Sequence, residues 1–339
     1  MAKKYVKLKR QELKELVEKE YGIKVKDMHE GDKGIVLFTT GGTKLLKGCK
    51  RDEAKLMFAV SAYEYIRAKG FKNISVINRT SNGCCWVNYE NRLFILQDFS
   101  AGRIFNIRTD EEAARAGRLL AELHRAGAGF VPEAGCHARV DWGKWMEKFK
   151  SYSYNLKRFK ESVEDSNSKS KLDKVFLKHA DNYCDRMYRA YLILKNFGYL
   201  EKVQLSMKHN QLTHKQFRRH SMIISEQGEL FICSMEDCAY DIPEVDIADL
   251  IESLSGNRKT ELAKAALEGY SSVNKLDRKS VKIIQAFLLQ PKRFYKSADR
   301  SYGKRKNYTE SELLHKLERS VKREARKDSM IEFLENYWP

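Results

Sequence analysis

Proline is scarce in this chain. Only four occur (Pro132, Pro243, Pro291 and Pro339), and no Gly/Ser-rich run separates one part from another, which excludes beads on a flexible string. No stretch approaches the roughly 18 consecutive apolar residues of a membrane-spanning helix. The opening MAKKYVKLKRQELKEL is charged throughout and has no apolar centre of the kind a secretory signal needs. Seven cysteines are present, yet none forms a CxxC pair. That scatter argues against a zinc site and a disulfide framework, and points to synthesis and folding in a reducing cytosol. No zinc-finger, helix-turn-helix or RNA-recognition signature occurs, so sequence-specific reading of nucleic acid is not expected.

What the chain does hold is a core and a large positive charge. Of its 339 residues 42% are hydrophobic, enough for the cores of two lobes. The formal net charge is +18, and much of it lies late: Lys292 to Asp328 carries thirteen Lys/Arg against six Asp/Glu. A field of that sign suits acidic proteins, anionic surfaces or anionic polymers as partners. Binding to a polymer would weaken steeply with salt.

Hydrophobic periodicity sets out the elements. A charged helix is expected over 10–20, with Leu13, Leu16 and Val17 on one side. GIVLFTT (34–40) and TKLLKG (43–48) read as strands joined through Gly41-Gly42, a hairpin signal. Leu56, Met57, Val60, Tyr63 and Ile66 recur at helical spacing, so a helix is expected over 52–69 with Gly70 as its C-cap. NISVIN (73–78), CCWVNY (84–89) and RLFILQDF (92–99) read as three more strands. Thr109-x-x-Glu112 is a capping box. Helices follow around 142–160, 171–197, 245–255, 258–270, 279–289 and 310–335, with ESVEDSNSKSK (161–171) as a flexible loop. One β interruption, SMIISEQGELFICSM (221–235), reads as a hairpin around Glu226-Gln227-Gly228.

The expected class is therefore α+β in two lobes. Residues 1–99 would form a leading helix, a five-strand antiparallel sheet and one long helix. Residues 100–339 would form a larger, mainly helical lobe carrying the loop and hairpin of 212–237. A cleft between two such lobes would be the default ligand site.

Particular residues within this order carry a resemblance. TKLLKG, AYEYIRAKGFKN, LQDFSAGR, LAELHRAGAGF, THKQF, YDIPEVDIADLI and LLQPKRFY occur in turn between about residues 20 and 335. Their order and spacing resemble the protein-kinase-like fold of aminoglycoside and choline phosphotransferases. More closely, they resemble the CotS family of bacterial spore-coat proteins. The resemblance implies that Lys47 stands where a strand lysine contacts nucleotide phosphates and is oriented by a helix carboxylate. Glu53 and Glu64 are the candidate partners, Glu64 being preferred for lying mid-helix. Gln97 and Asp98 fall in the inter-lobe connector LQDFSAGR (96–103), whose backbone would hydrogen-bond an adenine ring. His124 reads as a buried structural histidine, and Asp246 as an architectural aspartate opening an apolar helix.

LTHKQFRRHSMIISEQGELFICSMED (212–237) matches the catalytic loop and metal-binding hairpin. In active relatives these resemble His-Gly-Asp-x-x-x-x-Asn, then Asp-Phe/Trp-Asp/Glu. The first Asp receives a proton from, or orients, the attacking hydroxyl; the Asn and the second Asp hold magnesium against the phosphates of ATP. Here His214 is kept, but Lys215 replaces the glycine, Gln216 the base, Ser221 the amide and Ser234 the principal magnesium carboxylate. Gln216 cannot take up a proton, and neither serine carries the charge a hard dication prefers. Glu236 and Asp237 survive as alternative metal ligands; otherwise they form an acidic turn pairing with the basic loop of Lys215, Arg218 and Arg219.

Loss of one positioned acid/base group removes about 10²–10⁴-fold in rate. The resemblance thus implies a pseudokinase that requires no cofactor, with ATP and magnesium as ligands only of a residual nucleotide site. It implies synthesis in the cytoplasm of a sporulating mother cell and deposition in the spore coat, with other coat proteins, acidic ones, as partners. The competing expectation is an ATP-dependent phosphotransferase acting on a small molecule, a sugar or a protein through Lys47, His214, Glu236 and Asp237.

Overall fold

Leu13, Val17 and Tyr21 recur every four residues, which sets them on one face of a helix. That face is buried in α1 (Arg10–Tyr21). In the computed structural model, which describes residues 10–31, 34–49, 52–99, 102–257, 260–303 and 308–338, α1 packs on an antiparallel sheet. Its strands are β1 (Val25–Gly31), β2 (Gly34–Thr39), β3 (Gly42–Cys49), β4 (Ile77–Asn78), β5 (Val87–Tyr89) and β6 (Arg92–Asp98). They run in the order β1-β2-β3-β6-β4, with β5 also paired to β6. Leu37, Leu46, Phe94 and Leu96 of the sheet close on Leu13 and Val17 of α1 to form one core. Between β3 and β4 lies α2 (Glu53–Ala68), capped by Asp52, whose side chain accepts from the Lys55 amide.

The sheet has six strands where the pattern suggested five. The additional strand is β1, in which a bulge shifts the register between Val25 and Asp27. Its two buried residues, Val25 and Met28, are consequently three apart, which hides the period of two that marks a strand. Residues 1–9 and the connector residues Ser100 and Ala101 lie outside the described residues.

A second sheet, ordered β10-β9-β7, joins β7 (Gly102–Ile104) to the hairpin of β9 (Met222–Ser225) and β10 (Leu230–Ile232). The expected hairpin turn is there, with Gly228 at φ 80°. The remaining elements are α3 (Asp110–Gly127), α4 (Lys144–Glu164), α5 (Lys171–Asn196), α6 (Tyr199–Lys208), β8 (Leu212–Thr213), β11 (Ala239–Tyr240), α7 (Glu244–Leu254), α8 (Thr260–Ser271), α9 (Arg278–Leu289), α10 (Lys292–Ala298), α11 (Glu310–Glu324) and α12 (Asp328–Asn336). The Thr109 capping box opens α3 as expected. Leu156, Phe159, Phe176, Met187, Phe294 and Leu317 form the core of this helical part.

By their contacts the residues fall into two compact units. One comprises Met1–Asn106, Leu123–Val140 and His214–Ala239; the other comprises Ile107–Glu122, Asp141–Thr213 and Tyr240–Pro339. This grouping is not the same as a single cut after residue 99, because the loop and hairpin after His214 group with the N-terminal sheet.

Two details of the helical unit explain local departures from the sequence pattern. The stretch 310–335 is two helices, broken by a 3₁₀ turn at Ala325–Lys327. There a buried ion pair, Lys327–Glu324 at 2.5 Å, is tied to the corner before α10. The Lys327 ammonium donates to the Gln290 carbonyl at 2.8 Å, and the Arg293 amide donates to Glu324 at 2.8 Å. Elsewhere α3 and α8 touch through their glycines: a Cβ on Gly117 would lie 2.0 Å from the Ala266 carbonyl oxygen, and one on Gly269 would lie 2.1 Å from that of Ala114. Backbone cannot yield as a side-chain tip does. Gly117→Ala or Gly269→Ala is therefore expected to destabilise by about 1–3 kcal/mol through overpacking, despite the gain in helix propensity of ~1 kcal/mol. Urea unfolding of each variant measures this.

Candidate functional site

The site lies within the first unit. Lys47 sits in β3, its backbone opposite Ile95 of β6. The hairpin is fixed beside the sheet by Asn73, whose carbonyl accepts from the Ile232 amide at 2.8 Å and whose side chain donates to the Leu230 carbonyl at 2.9 Å. Residues 234–237, which follow β10, are thereby brought to Lys47.

The Lys47 ammonium donates to Glu236 Oε1 at 2.6 Å and to Ser234 Oγ at 2.9 Å, and Ser234 Oγ donates to Glu236 Oε2 at 2.8 Å. A closed triangle results, with the Lys47 and Glu236 side chains only 15% and 17% exposed. Burial by itself would push the Glu236 carboxyl up. The Lys47 charge and the bonds from Lys47 and Ser234 outweigh that, and its pKa lies below the ordinary glutamate value.

Tyr63 of α2 completes the arrangement. Its hydroxyl accepts from the Met235 amide at 2.7 Å and donates towards Glu236 Oε1 at 3.4 Å. Burial, then the Glu236 charge, hold its pKa well above the ordinary tyrosine value, so it stays a neutral donor.

The preferred orienting carboxylate, Glu64, is a correction. Glu64 forms a bidentate pair with Arg79, at 2.6 and 2.8 Å, and Glu53 is exposed in the first turn of α2. One residue rotates a helix by about 100°, so the residue before Glu64 is the one that reaches Lys47's partner. Tyr63 was legible as part of the apolar stripe; its polar tip, which must find a partner when buried, was the available signal.

The loop after β8 carries the replaced residues. His214 is buried and meets Phe217 edge-on, with ring centroids 5.5 Å apart. His214 Nδ1 accepts from the Gln216 amide at 3.2 Å. Lys215 adopts φ 72°, the left-handed conformation suited to the glycine of active relatives and costing other residues about 1–2 kcal/mol.

Gln216 is exposed at the base position, and its side-chain amide donates to Asp237 Oδ2. Asp237 is also held by Arg139, which donates to its carbonyl at 2.8 Å and lies 3.4 Å from its carboxylate. The acidic turn bonds Lys47, Gln216 and Arg139, drawn from three different segments, where the sequence suggested the basic loop of Lys215, Arg218 and Arg219. Ser221 is buried, and its hydroxyl exchanges bonds with the Arg218 backbone, donating to the carbonyl at 2.6 Å and accepting from the amide at 3.0 Å.

In the connector, Gln97 is buried, while Asp98 pairs with Lys44 at 2.5 Å and accepts from Asn78 at 2.8 Å. The amides of Asp98 and Phe99 donate to the Val76 and Thr43 carbonyls and are thereby committed within the sheet. His124 is buried, as expected.

These donors do not suit magnesium, which takes carboxylate and water oxygens in near-ideal octahedral geometry. Glu236 is neutralised by Lys47, Asp237 is engaged by Arg139 and Gln216, and Ser234 brings no charge. Among the described residues no three or more His, Cys, Asp or Glu gather as a metal site. What the arrangement offers is a neutral, internally bonded patch.

Two variants probe it. Lys47→Met leaves Glu236 and Ser234 without their cation and is expected to cost about 1–3 kcal/mol at pH 7. Because the Glu236 pKa is depressed on folding, its stabilisation is full above the unfolded value and is lost as pH falls through the folded value. The difference between wild type and Lys47→Met should therefore shrink below about pH 4, as read by denaturant unfolding across pH. Lys215→Gly relieves the left-handed strain and is expected to stabilise by about 0.5–1 kcal/mol, visible as a raised Tm.

The chain is similar to several known proteins. The family model described as "Spore coat putative kinase YutH" matches residues 14–334. Spore coat protein S of Bacillus subtilis is 23% identical over 318 residues, covering 92% of this chain and 89% of that protein. Among solved structures, an aminoglycoside phosphotransferase from Alicyclobacillus acidocaldarius superposes with a TM-score of 0.80 at 16% identity, covering 93% of each chain. Spectinomycin phosphotransferase APH(9)-Ia superposes with a TM-score of 0.60 at 16% identity, covering 95% of this chain and 98% of the other. The fold is that of the aminoglycoside phosphotransferases, and the chain belongs to the YutH family of putative spore-coat kinases, the CotS-like kinship its motifs implied.

Proposed function

We propose that this chain is a kinase-derived scaffold of the bacterial spore coat that binds partners and does not transfer phosphate. The observation that carries the proposal is the closed Lys47–Ser234–Glu236 triangle. In a working phosphotransferase the strand lysine is turned to the nucleotide phosphates, and the hairpin supplies a carboxylate to magnesium. Here the lysine is spent on a carboxylate two residues beyond the position where the metal ligand would stand, and Gln216 cannot act as a base.

Binding is supported by the distribution of charge. On α11 and the turn after it, Arg319, Arg323 and Arg326 are exposed. Partial burial first, then the charges of Arg319, Arg293 and Arg326, lower the Arg323 pKa, the mark of crowded cations. An acidic coat protein is the partner such a surface fits, and the relative named for the spore coat supplies the setting.

Thermal unfolding of the full chain is expected to be unmoved by millimolar ATP or ADP, with or without magnesium, and the protein is expected to fractionate with the spore coat. A magnesium-dependent shift accompanied by phosphate transfer would replace the scaffold with a phosphotransferase. A shift without transfer would make it a nucleotide-binding scaffold, and a protein confined to vegetative cells would remove the coat from the proposal.

A further inference from the structure

On α11 and the turn that follows it, Arg319, Arg323 and Arg326 stand four and then three residues apart. At about 100° per residue that spacing sets them on one stripe, and all three are exposed. The inner side of the helix buries Leu317, Ser320 and Glu324. Glu324 is held there by Lys327 at 2.5 Å and by the Arg293 amide at 2.8 Å, so the stripe is carried on a firmly seated helix. Like charges at such spacings destabilise a helix, and among the described residues no acid of α11 answers them. Glu310 and Glu312 belong to the first turn, where Glu312 is bonded to Thr309, Glu324 is turned inwards, and Glu318 lies about 140° round from Arg323.

We propose that this stripe docks an acidic α-helix of a partner polypeptide whose carboxylates recur at the same spacings of three and four residues. The rises match: about 6 Å from Arg319 to Arg323 and about 4.5 Å from Arg323 to Arg326 are also the rises between such carboxylates on any helix. Three guanidinium–carboxylate pairs then form in register, each a planar fork on a planar anion. Partial burial and then the charges of Arg319, Arg293 and Arg326 already lower the Arg323 pKa, and carboxylates alongside relieve that repulsion.

Other anionic partners fit less well. Phosphates recur every ~3.4 Å along one strand of a duplex and fall out of step with the arginines. A helix lying on a membrane sinks an apolar face into it, and among the described residues none of the large exposed apolar side chains lies on α11. The assignment rests on the reading of the chain as a binding scaffold and adds the form of the partner. Phosphate transfer, or absence from the coat, would remove the scaffold reading; the binding measurements below register neither, so the two fail separately.

The full chain is titrated by calorimetry, at one fixed ionic strength, with a blocked alanine-rich helical peptide bearing glutamates alternately three and four residues apart. A peptide of the same composition with its glutamates spread round the helix, a DNA duplex and phosphatidylserine vesicles are run beside it. The matched peptide is expected to bind about tenfold more tightly than the shuffled one, and more tightly than DNA or vesicles. Replacing Arg319, Arg323 and Arg326 together by lysine keeps the charge and loses the forks, and is expected to weaken the matched peptide about fivefold or more. Urea unfolding checks that this exposed triple variant is folded. Lys322→Gln, about 100° off the stripe, is expected to change affinity less than about twofold. Equal binding of the two peptides, tighter binding of DNA or of vesicles, affinity unchanged in the folded triple variant, or a loss in Lys322→Gln as large as in that variant would each overturn the assignment.

Discussion

An ammonium and a carboxylate 189 residues apart in sequence, Lys47 and Glu236, meet at 2.6 Å, and the arrangement of the first unit depends on that meeting. A pair so little exposed gains from its attraction only if its remaining hydrogen-bonding capacity is met. The neighbouring residues have the sizes that requirement allows. Ser234 is short enough to sit between the two charges and bond both. Tyr63 reaches from α2 with a hydroxyl that serves the Met235 amide and the same carboxylate. An aspartate in place of Ser234 would crowd a second anion against Glu236. The serine is thus a fitted part of the site as it stands.

Legibility in the sequence followed the strength of local signals. Helices with caps and clear periodicity, α2 behind Asp52 and α3 behind Thr109, are where the pattern put them. Strand β1 was hidden by its bulge, and the break between α11 and α12 by a buried ion pair that no local propensity encodes. In the site, the positions of Gln216, Ser221 and Ser234 were readable because motif spacing is a local property. The partner of Lys47 was not, because choosing among Glu53, Glu64 and Glu236 depends on a tertiary approach between β3 and the hairpin. The helical phase that turns Glu64 to Arg79 left Tyr63 facing inwards.

Buried cations recur in the helical unit with contrasting surroundings. Lys327, 2% exposed, has Glu324 and the Gln290 carbonyl, and its role is to seat one helix against the turn before another. Arg186, similarly buried, donates to Asp328 and lies 5.6 Å from the centre of the Tyr183 ring. Satisfied burial of this kind fixes a fold.

The bond between Gln216 and Asp237 limits what position 216 can hold. A change of Gln216 to aspartate would not act alone, since Ser221 and Ser234 also stand where the resemblance implies metal ligands. It would also place one carboxylate against another, where an amide now donates, and like charges at hydrogen-bonding distance cannot both stay ionised. The Gln216–Asp237 bond thus makes a neutral amide, and not a second carboxylate, the side chain that fits at 216.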